Sequence, residues 1–301
     1  MRLLITGADG FLGSYLIERF YKRDDALFLI GANSKVLSET YPKAQSVSFL
    51  DLNHDRLKEQ IHIFKPDLVI HLAAYYTSSD SIDDLHKLID ANLLFLGQIL
   101  DAVKETKLNS FIYIGSSTEY LNGSKTPDPA YLYSATKTAG KEILSYYAKT
   151  YGFKEITITP YNVYGGKKGR KRILDLLTES LFVENPIKIT EGEQIIDFIH
   201  IDDLIDLFVK VSDTVRDIPS GSNFHAGTGK GYALKDVGKI IEQIAQKEPN
   251  LQWGAIPYRK RDTMYSVADI SLQKELFGWQ PRVSLEEGIE RLIKIKSNIY
   301  G

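Results

Sequence analysis

Tyr133 and Lys137, in the stretch Tyr133-Ser-Ala-Thr-Lys137, stand one helical turn apart on the same face. A phenol so placed can give a proton to a carbonyl oxygen or take one from an alcohol, and an ammonium beside it lowers the phenol's pKa. Tyr164 and Lys168 share the spacing, but Gly165 and Gly166 lie between them and nothing fixes their mutual geometry. The run Tyr113-Ile-Gly-Ser-Ser-Thr-Glu-Tyr120 offers a third partner. The hydroxyl of Ser116, or of Ser117 or Thr118 in its place, could hydrogen-bond a substrate carbonyl and stabilise developing negative charge. The same hydroxyls also suit turns and helix caps after a strand.

Near the amino terminus, Thr6-Gly-Ala-Asp-Gly-Phe-Leu-Gly13 sets three glycines between a short aliphatic run and an amphipathic stretch. Gly7 allows a tight turn, Gly10 lets backbone N–H groups approach a pyrophosphate, and Gly13 lets the helix pack close to the strand. The flanking strand and helix favour a dinucleotide-binding turn over an ordinary Gly-rich connection, and Lys137 would then hold the nicotinamide ribose. The second strand closes on Gly31-Ala-Asn-Ser-Lys35, without the acid that usually accepts from the ribose hydroxyls of NAD. A missing carboxylate removes repulsion of a 2′-phosphate, and Asn33, Ser34 and Lys35 offer donors and a cation, so NADP(H) is the expected cofactor. The alternative is a merely polar loop with NAD bound without the acid. Asp51 could lie beside the adenine, although Asp51 or Asn53 equally suits a helix cap.

The elements that must position these groups alternate. Short apolar runs at Arg2–Thr6, Leu27–Gly31, Val47–Leu50, Leu68–Leu72, Phe111–Gly115 and Glu155–Thr159 read as buried parallel strands. Phe11–Tyr21, Asp55–Phe64, Ile82–Thr106 and Tyr133–Thr150 between them have helical spacing. This predicts an α/β fold, a Rossmann doubly wound parallel sheet, with a smaller mixed α/β carboxy-terminal substrate lobe. The nucleotide-binding domain is expected over residues 1–165, with the chain returning to it at about 194–226, and the lobe over 166–193 and 227–301. A helix is read at Ile173–Val183, a strand at Gln194–His200 and a further helix from Asp202.

With 301 residues, 43% of them hydrophobic, the chain is long enough for a substantial core. A net charge of −2 gives no overall attraction to nucleic acid or to an anionic membrane. The absence of cysteine excludes disulfides and thiolate chemistry and fits a reducing cytoplasm. No apolar run is long enough to span a membrane, and the start of the chain lacks signal-peptide character. The six histidines show no metal-ligand spacing, so no metal is expected. His71 and His200 read as residues of buried strand ends.

Several ordered segments together resemble the extended short-chain dehydrogenase/reductase family, in particular its nucleotide-sugar branch. They are TGADGFLG at 6–13, HLAA at 71–74, the Asn92-to-Gly97 helix segment, GSSTEY at 115–120, YSATK at 133–137, PYNVYG at 160–165, IIDFIHIDD at 195–203 and ADISLQKELFGWQP at 268–281. The resemblance covers nearly the whole chain. It implies catalytic roles for Ser116, Tyr133 and Lys137, and a cofactor lining that includes Phe11, Leu12, Leu52, Leu72, Ala73 and Ala74. It also implies a substrate side with Ser116, Ser117, Thr118, Asn162 near the diphosphate and Arg259 on a phosphate, for which a guanidinium is suited. A homodimer through the Ile82–Thr106 and Tyr133–Thr150 helices is a further implication. Lys167, Lys168, Arg170, Lys171 and Arg172 read either as a phosphate grip or, more simply, as a solvated basic loop.

The branch holds epimerases, dehydratases, decarboxylases and 4-keto reductases, and the fold does not choose among them. Three departures from its patterns point to a reaction. Dehydratases of the branch carry an Asp-Glu pair where this chain has Ser117 and Thr118, and only a one-residue gap would bring Glu119 into the acid position. The second-strand acid usual in enzymes that recycle bound NAD is missing. Ile196 stands where an arginine usually precedes Asp-Phe, which leaves the diphosphate to Arg259 and the basic loop. The GSSTEY form and the YRKRDTMYSVADIS segment look most like reductases of nucleotide-activated 4-keto-6-deoxyhexoses, of the CDP-abequose synthase and GDP-deoxyhexose reductase types. The expected reaction is therefore NADPH-dependent reduction at C4, giving a deoxysugar donor for a surface polysaccharide. The alternatives are an NAD-dependent epimerase or 4,6-dehydratase and, more distantly, a dinucleotide-sensing regulator, which would tend to lose the Tyr133 and Lys137 that this chain keeps.

Overall fold

A computed structural model describes residues 1–50, 53–166 and 171–300. It divides into two compact units. The first comprises Met1–Glu119, Tyr131–Thr159 and Phe208–Phe224; the second comprises Tyr120–Ala130, Pro160–Leu207 and His225–Gly301. The substrate lobe expected over 166–193 and 227–301 falls in the second unit, which also takes in residues 120–130, 160–165, 194–207 and 225–226.

The first unit is built on strands β1 (Arg2–Thr6), β2 (Ala26–Gly31), β3 (Gln45–Ser48), β4 (Leu68–His71), β5 (Ser110–Ile114) and β6 (Lys154–Pro160). These six strands pair in parallel. A seventh, Ser222–Ala226, lies beside β6 at the edge, giving the order 222–226, β6, β5, β4, β1, β2, β3. The chain runs β1, β2, β3 outward in one direction and restarts at β4 on the other side of β1, so the sheet reverses between β1 and β4. In open sheets of this kind the ligand crevice lies at that reversal, beyond the carboxyl ends of the strands.

Helices α1 (Phe11–Tyr21), α2 (Ser34–Thr40), α3 (His54–Phe64), α4 (Ile82–Ile89), α5 (Phe95–Val103) and α6 (Leu132–Tyr151) belong to the same unit. Parallel strands are buried on both faces, which is why Leu3, Leu4, Ile5, Phe28, Leu29, Ile30, Val69 and Ile70 form unbroken apolar runs with no solvent exposure. One face packs Leu4, Phe28, Val69 and Phe111 against Leu96, Ile99, Leu100 and Val103 of α5 and Leu144 of α6. β3 starts two residues before the expected Val47–Leu50 and stops before Phe49 and Leu50, which are exposed. The stretch read as one helix over Ile82–Thr106 is α4, a π-helical turn at Asp90–Leu94 and α5, which ends at Val103.

The second unit has small sheets of its own. Asn162–Tyr164 pairs with Phe198–His200 in parallel, and Ile195–Ile196 sits between Tyr232–Ala233 and Tyr265–Ser266. The single strand expected at Gln194–His200 is thus two, in two different sheets. Of the stretch expected to return at about 194–226, Phe208–Phe224 is grouped with the first unit, and 194–207 and 225–226 with the second. Leu174, Leu177, Val237, Ile241, Ile289 and Leu292 form the second core. Asp197, fully buried, knits three loops by accepting from the N–H groups of Thr228, Gly229 and Ala268 and from the Thr228 hydroxyl. The helix expected at Ile173–Val183 is shorter, Ile173–Glu179.

Candidate active site

The turn after β1 is a backbone cradle. Gly7 has φ +67°, a conformation that favours glycine, and a Cβ there would lie 2.7 Å from the Ala73 backbone nitrogen. The loops leaving β1 and β4 therefore touch backbone to backbone. Thr6 Oγ1 accepts the Ala73 N–H at 3.2 Å and pairs with His71 Nδ1 at 2.9 Å, joining the two strand ends. A Cβ on Gly13 would meet the Gly7 carbonyl oxygen at 2.2 Å, so α1 starts closer to the turn than any other residue allows. Gly10 caps α1 without a side-chain acceptor, and the first turn, with Phe11, Leu12 and Gly13, carries no acid. Its N–H groups and the helix dipole make a site suited to a pyrophosphate, and the donor set fits a dinucleotide.

At the end of β2, Asn33, Ser34 and Lys35 are not a loop. Asn33 caps α2, its side chain accepting the Val36 N–H at 3.1 Å, and Ser34 and Lys35 form the first helical turn. The carboxylate that β2 lacks is supplied from the glycine-rich turn: a Cβ on Gly31 would fall 2.7 Å from Asp9 Oδ1, and Asp9 Oδ2 accepts the Asn33 N–H at 2.8 Å. Asp51 and Leu52 lie outside the described residues.

Tyr133 and Lys137 project from the first turns of α6, and both are buried. The Tyr133 ring packs on Tyr76, with centroids 4.7 Å apart. Lys137 Nζ stands 4.2 Å from the centre of the Tyr113 ring, whose hydroxyl donates to the Lys137 carbonyl at 3.2 Å. Burial pushes the Lys137 pKa down to about 7, against a rise from Glu119 and with a further lowering from Lys141. The end of α6 is held by Asn92 in the π-helical turn. Asn92 Nδ2 donates to Thr136 Oγ1 and to the Tyr75 carbonyl, its Oδ1 accepts the Tyr75 N–H, and Thr136 Oγ1 donates to the Tyr133 carbonyl. Asn92 thereby ties the loop after β4 to the backbone of Tyr133.

Beyond β5 a chain of hydroxyls forms. Ser134 Oγ donates to Thr118 Oγ1 at 2.8 Å, and Thr118 Oγ1 lies 2.7 Å from Ser116 Oγ. Ser116 Oγ also accepts the Thr118 N–H at 3.3 Å. Either hydroxyl can be the donor between Thr118 and Ser116; with Thr118 as donor, the Ser116 proton is left to donate outward, strengthened by the chain behind it. Thr118 is consumed in that relay and Ser117 is buried.

Glu119 lies beneath the loop with no exposure. Its Oε1 accepts the Ser116 N–H at 2.8 Å, and Oε2 takes the Thr138 hydroxyl at 3.0 Å and Lys141 Nζ at 2.6 Å. Gly115 makes room for it, since a Cβ there would sit 2.9 Å from Oε1. Tyr113 and Asp9 look like ordinary strand and loop residues in the sequence; Asn92 enters there only within a family-resembling helix segment, and Glu119 only as an acid a one-residue gap would bring into register.

In the second unit, Asn162 opens the strand beside Phe198–His200, its N–H donating to the Asp197 carbonyl at 3.2 Å. Arg259 is exposed, with its backbone N–H on Asp262 at 3.3 Å, while the neighbouring Arg261 pairs with Asp128. Ile196 lies in the three-stranded sheet. Lys167, Lys168 and Arg170 are outside the described residues; Lys171 pairs with Glu179 at 2.6 Å and Arg172 caps the Ile173–Glu179 helix. Among the described residues no three metal-ligating side chains cluster, and no helix is long and apolar enough to cross a membrane.

A family model described as the NAD dependent epimerase/dehydratase family matches residues 3–227. The CDP-abequose synthase of Salmonella typhimurium is 26% identical over 297 residues, covering 97% of each chain. The UDP-glucose 4-epimerase of Mycolicibacterium smegmatis is 27% identical over 317 residues, covering 99% of each. The crystal structure of UDP-glucuronic acid 4-epimerase from Bacillus cereus in complex with UDP-glucuronic acid and NAD superposes with a TM-score of 0.86 over the whole of both chains at 24% identity.

Proposed function

Because this chain belongs to the NAD dependent epimerase/dehydratase family of nicotinamide-dinucleotide enzymes, we propose that it reduces the C4 keto group of a nucleotide-activated 4-keto-6-deoxyhexose, giving a deoxysugar donor for polysaccharide synthesis. The similarity to CDP-abequose synthase over almost the full length supports this reading. The observation that carries it is Glu119. With both oxygens bound beneath the loop and an ammonium 2.6 Å away, it is not an acid or base at the substrate, and Ser117 and Thr118 supply no carboxyl in its place. Positions 117 and 118 hold no carboxyl pair of the kind a 4,6-dehydratase carries, which favours carbonyl reduction by Ser116, Tyr133 and Lys137.

The Gly7–Gly13 turn would hold a nicotinamide dinucleotide, which would supply the hydride. Ser116 donates its outward proton to the substrate carbonyl and orients it. Tyr133 protonates the oxygen as negative charge develops there. Lys137 holds the ribose and, when protonated, lowers the phenol's pKa. The chain Ser134–Thr118–Ser116 keeps the serine hydroxyl aimed, and Asn92 keeps the first turn of α6 in register with the loop after β4. Asn162 and Arg259 are the proposed diphosphate contacts of the second unit. Ile82 and Ile89 on α4, Leu94 in the π-helical turn and Tyr146 on α6 are exposed and would supply the contact of a homodimer.

The donor expected from β2 alone is NADPH, whereas Asp9 argues for NADH. A bound, recycled NAD would instead favour a C4 epimerase, and the Asp9 carboxylate beside Gly31 is the observation for that second reading. The test is oxidation of NADPH and of NADH by the purified protein with 4-keto-6-deoxy sugars on CDP, GDP, dTDP and UDP, generated in situ. Substrate-dependent oxidation is expected, falling by roughly 10²- to 10⁴-fold in Tyr133→Phe, and Ser116→Ala should lose far more rate than Ser117→Ala. No oxidation, together with NAD released on denaturation, would move the assignment to the epimerase.

A further inference from the structure

Expected selectivity for NADP(H) depends on an empty place at the end of β2, and that place is filled. The Asp9 carboxylate occupies the position where a side chain on Gly31 would begin, its Oδ1 only 2.7 Å from the Cβ that Gly31 lacks. It is fixed there by the Asn33 N–H on Oδ2. The preceding residue, Ala8, donates its N–H to the Ile30 carbonyl at 3.1 Å, so the glycine-rich turn and the end of β2 are joined at two successive residues. A carboxylate has about four acceptor sites, so Asp9, which is exposed, keeps acceptors for a ligand after binding Asn33.

We propose that Asp9 is the specificity-determining residue of the dinucleotide site. Its carboxylate accepts from the adenosine ribose hydroxyls and repels a 2′-phosphate, so this chain takes NAD(H) in preference to NADP(H). Glycine at 31 is then a requirement of the arrangement, because any side chain there would push the Asp9 carboxylate aside. The proposal rests on the dinucleotide site of the family and is independent of which sugar is turned over.

The test is direct binding to the full chain, stripped of any co-purified dinucleotide, without sugar substrate. NADH and NADPH are titrated by nicotinamide fluorescence, and NAD and NADP by calorimetry, on the wild type, Asp9→Asn, Asp9→Ser and Gly31→Ala, with circular dichroism to verify folding. The wild type should bind NADH at least about tenfold more tightly than NADPH. Asp9→Asn and Asp9→Ser should shrink that ratio by about tenfold, through weaker NADH and tighter NADPH binding. Gly31→Ala, which displaces the carboxylate without removing it, should narrow the ratio part of the way. A wild type that binds NADPH as tightly as NADH, or folded Asp9 variants with an unchanged ratio, would overturn the proposal. Because no sugar is present, either result leaves the reductase assignment standing or falling on its own assay.

Discussion

Lys137 shows how far a single residue is bent by its surroundings. Its ammonium is buried against the Tyr113 ring, and desolvation brings its pKa down to about 7 from the 10.5 of an exposed lysine. Between those values the unfolded chain holds a proton that the folded chain does not. The burial penalty is therefore complete below pH 7 and fades as pH rises toward 10.5. Lys137→Met should accordingly raise the thermal midpoint at pH 7 while abolishing turnover, and its advantage over the wild type should shrink steadily up to pH 10. A constant difference across that range would show that the lysine is not buried in charged form. Tyr133 and Lys137 could be singled out from sequence because their residue types and local spacing carry their chemistry, whereas spacing left Ser116, Ser117 and Thr118 open and only the family resemblance chose Ser116. The positioning contacts of Glu119 to Thr138, Asn92 to Thr136 and Asp9 to Asn33 could not be read there, because those partners stand 19, 44 and 24 residues away and only the folded chain brings them together.

Among elements, β1 and β4 meet at the sheet's reversal through Thr6 and His71, and this junction sets the cradle. His71 has no exposure and stacks on Tyr113, and burial, helped by Lys137, drives its pKa down to about 3. Its folded value lies below the ordinary 6.5, so the unfolded state binds the extra proton between pH 6.5 and about 3. Stability is full above that window and falls within it, by up to about 1.4 kcal/mol per pH unit. His71→Asn, which can still pair with Thr6, should flatten the acid limb: urea midpoints at pH 4.5 and 7 should differ less than in the wild type. An equal difference in both proteins would assign acid sensitivity to other groups. β1 and the other central strands were readable from unbroken apolar runs. β3 was misplaced because Phe49 and Leu50 look like strand residues yet leave the ladder, with Gln45 pairing to Phe28 instead. α2 escaped notice because Leu37 is its one buried residue and sets no period. The π-turn at Asp90–Leu94 is invisible to a 3.6-residue pattern, though it carries the buried Asn92.

For the molecule as a whole, the chain passes from one unit to the other after residues 119, 130, 159, 207 and 224. A fragment of residues 1–165 carries every glycine of the cradle and the Tyr133–Lys137 pair, yet it lacks Ser222–Ala226, which covers β6 in the sheet. It should expose that strand as an open edge and elute as aggregate in size-exclusion chromatography, binding no dinucleotide. A monomeric, dinucleotide-binding fragment would show that the sheet is complete without its seventh strand. The two-unit division was only coarsely legible, since 120–130 and 160–165 have nothing in composition to mark which core they serve.

Those five passages also bear on how such a protein can change over generations. A single genetic crossover anywhere between residues 119 and 224 would join pieces of both units from two parents at once, with mismatched cores on either side of the break. Exchange of a whole unit, open to proteins whose domains follow one another along the chain, is closed to this one. Change in the second unit must accumulate by substitution in place, inside a sheet and a glycine-rich cradle that stay as they are.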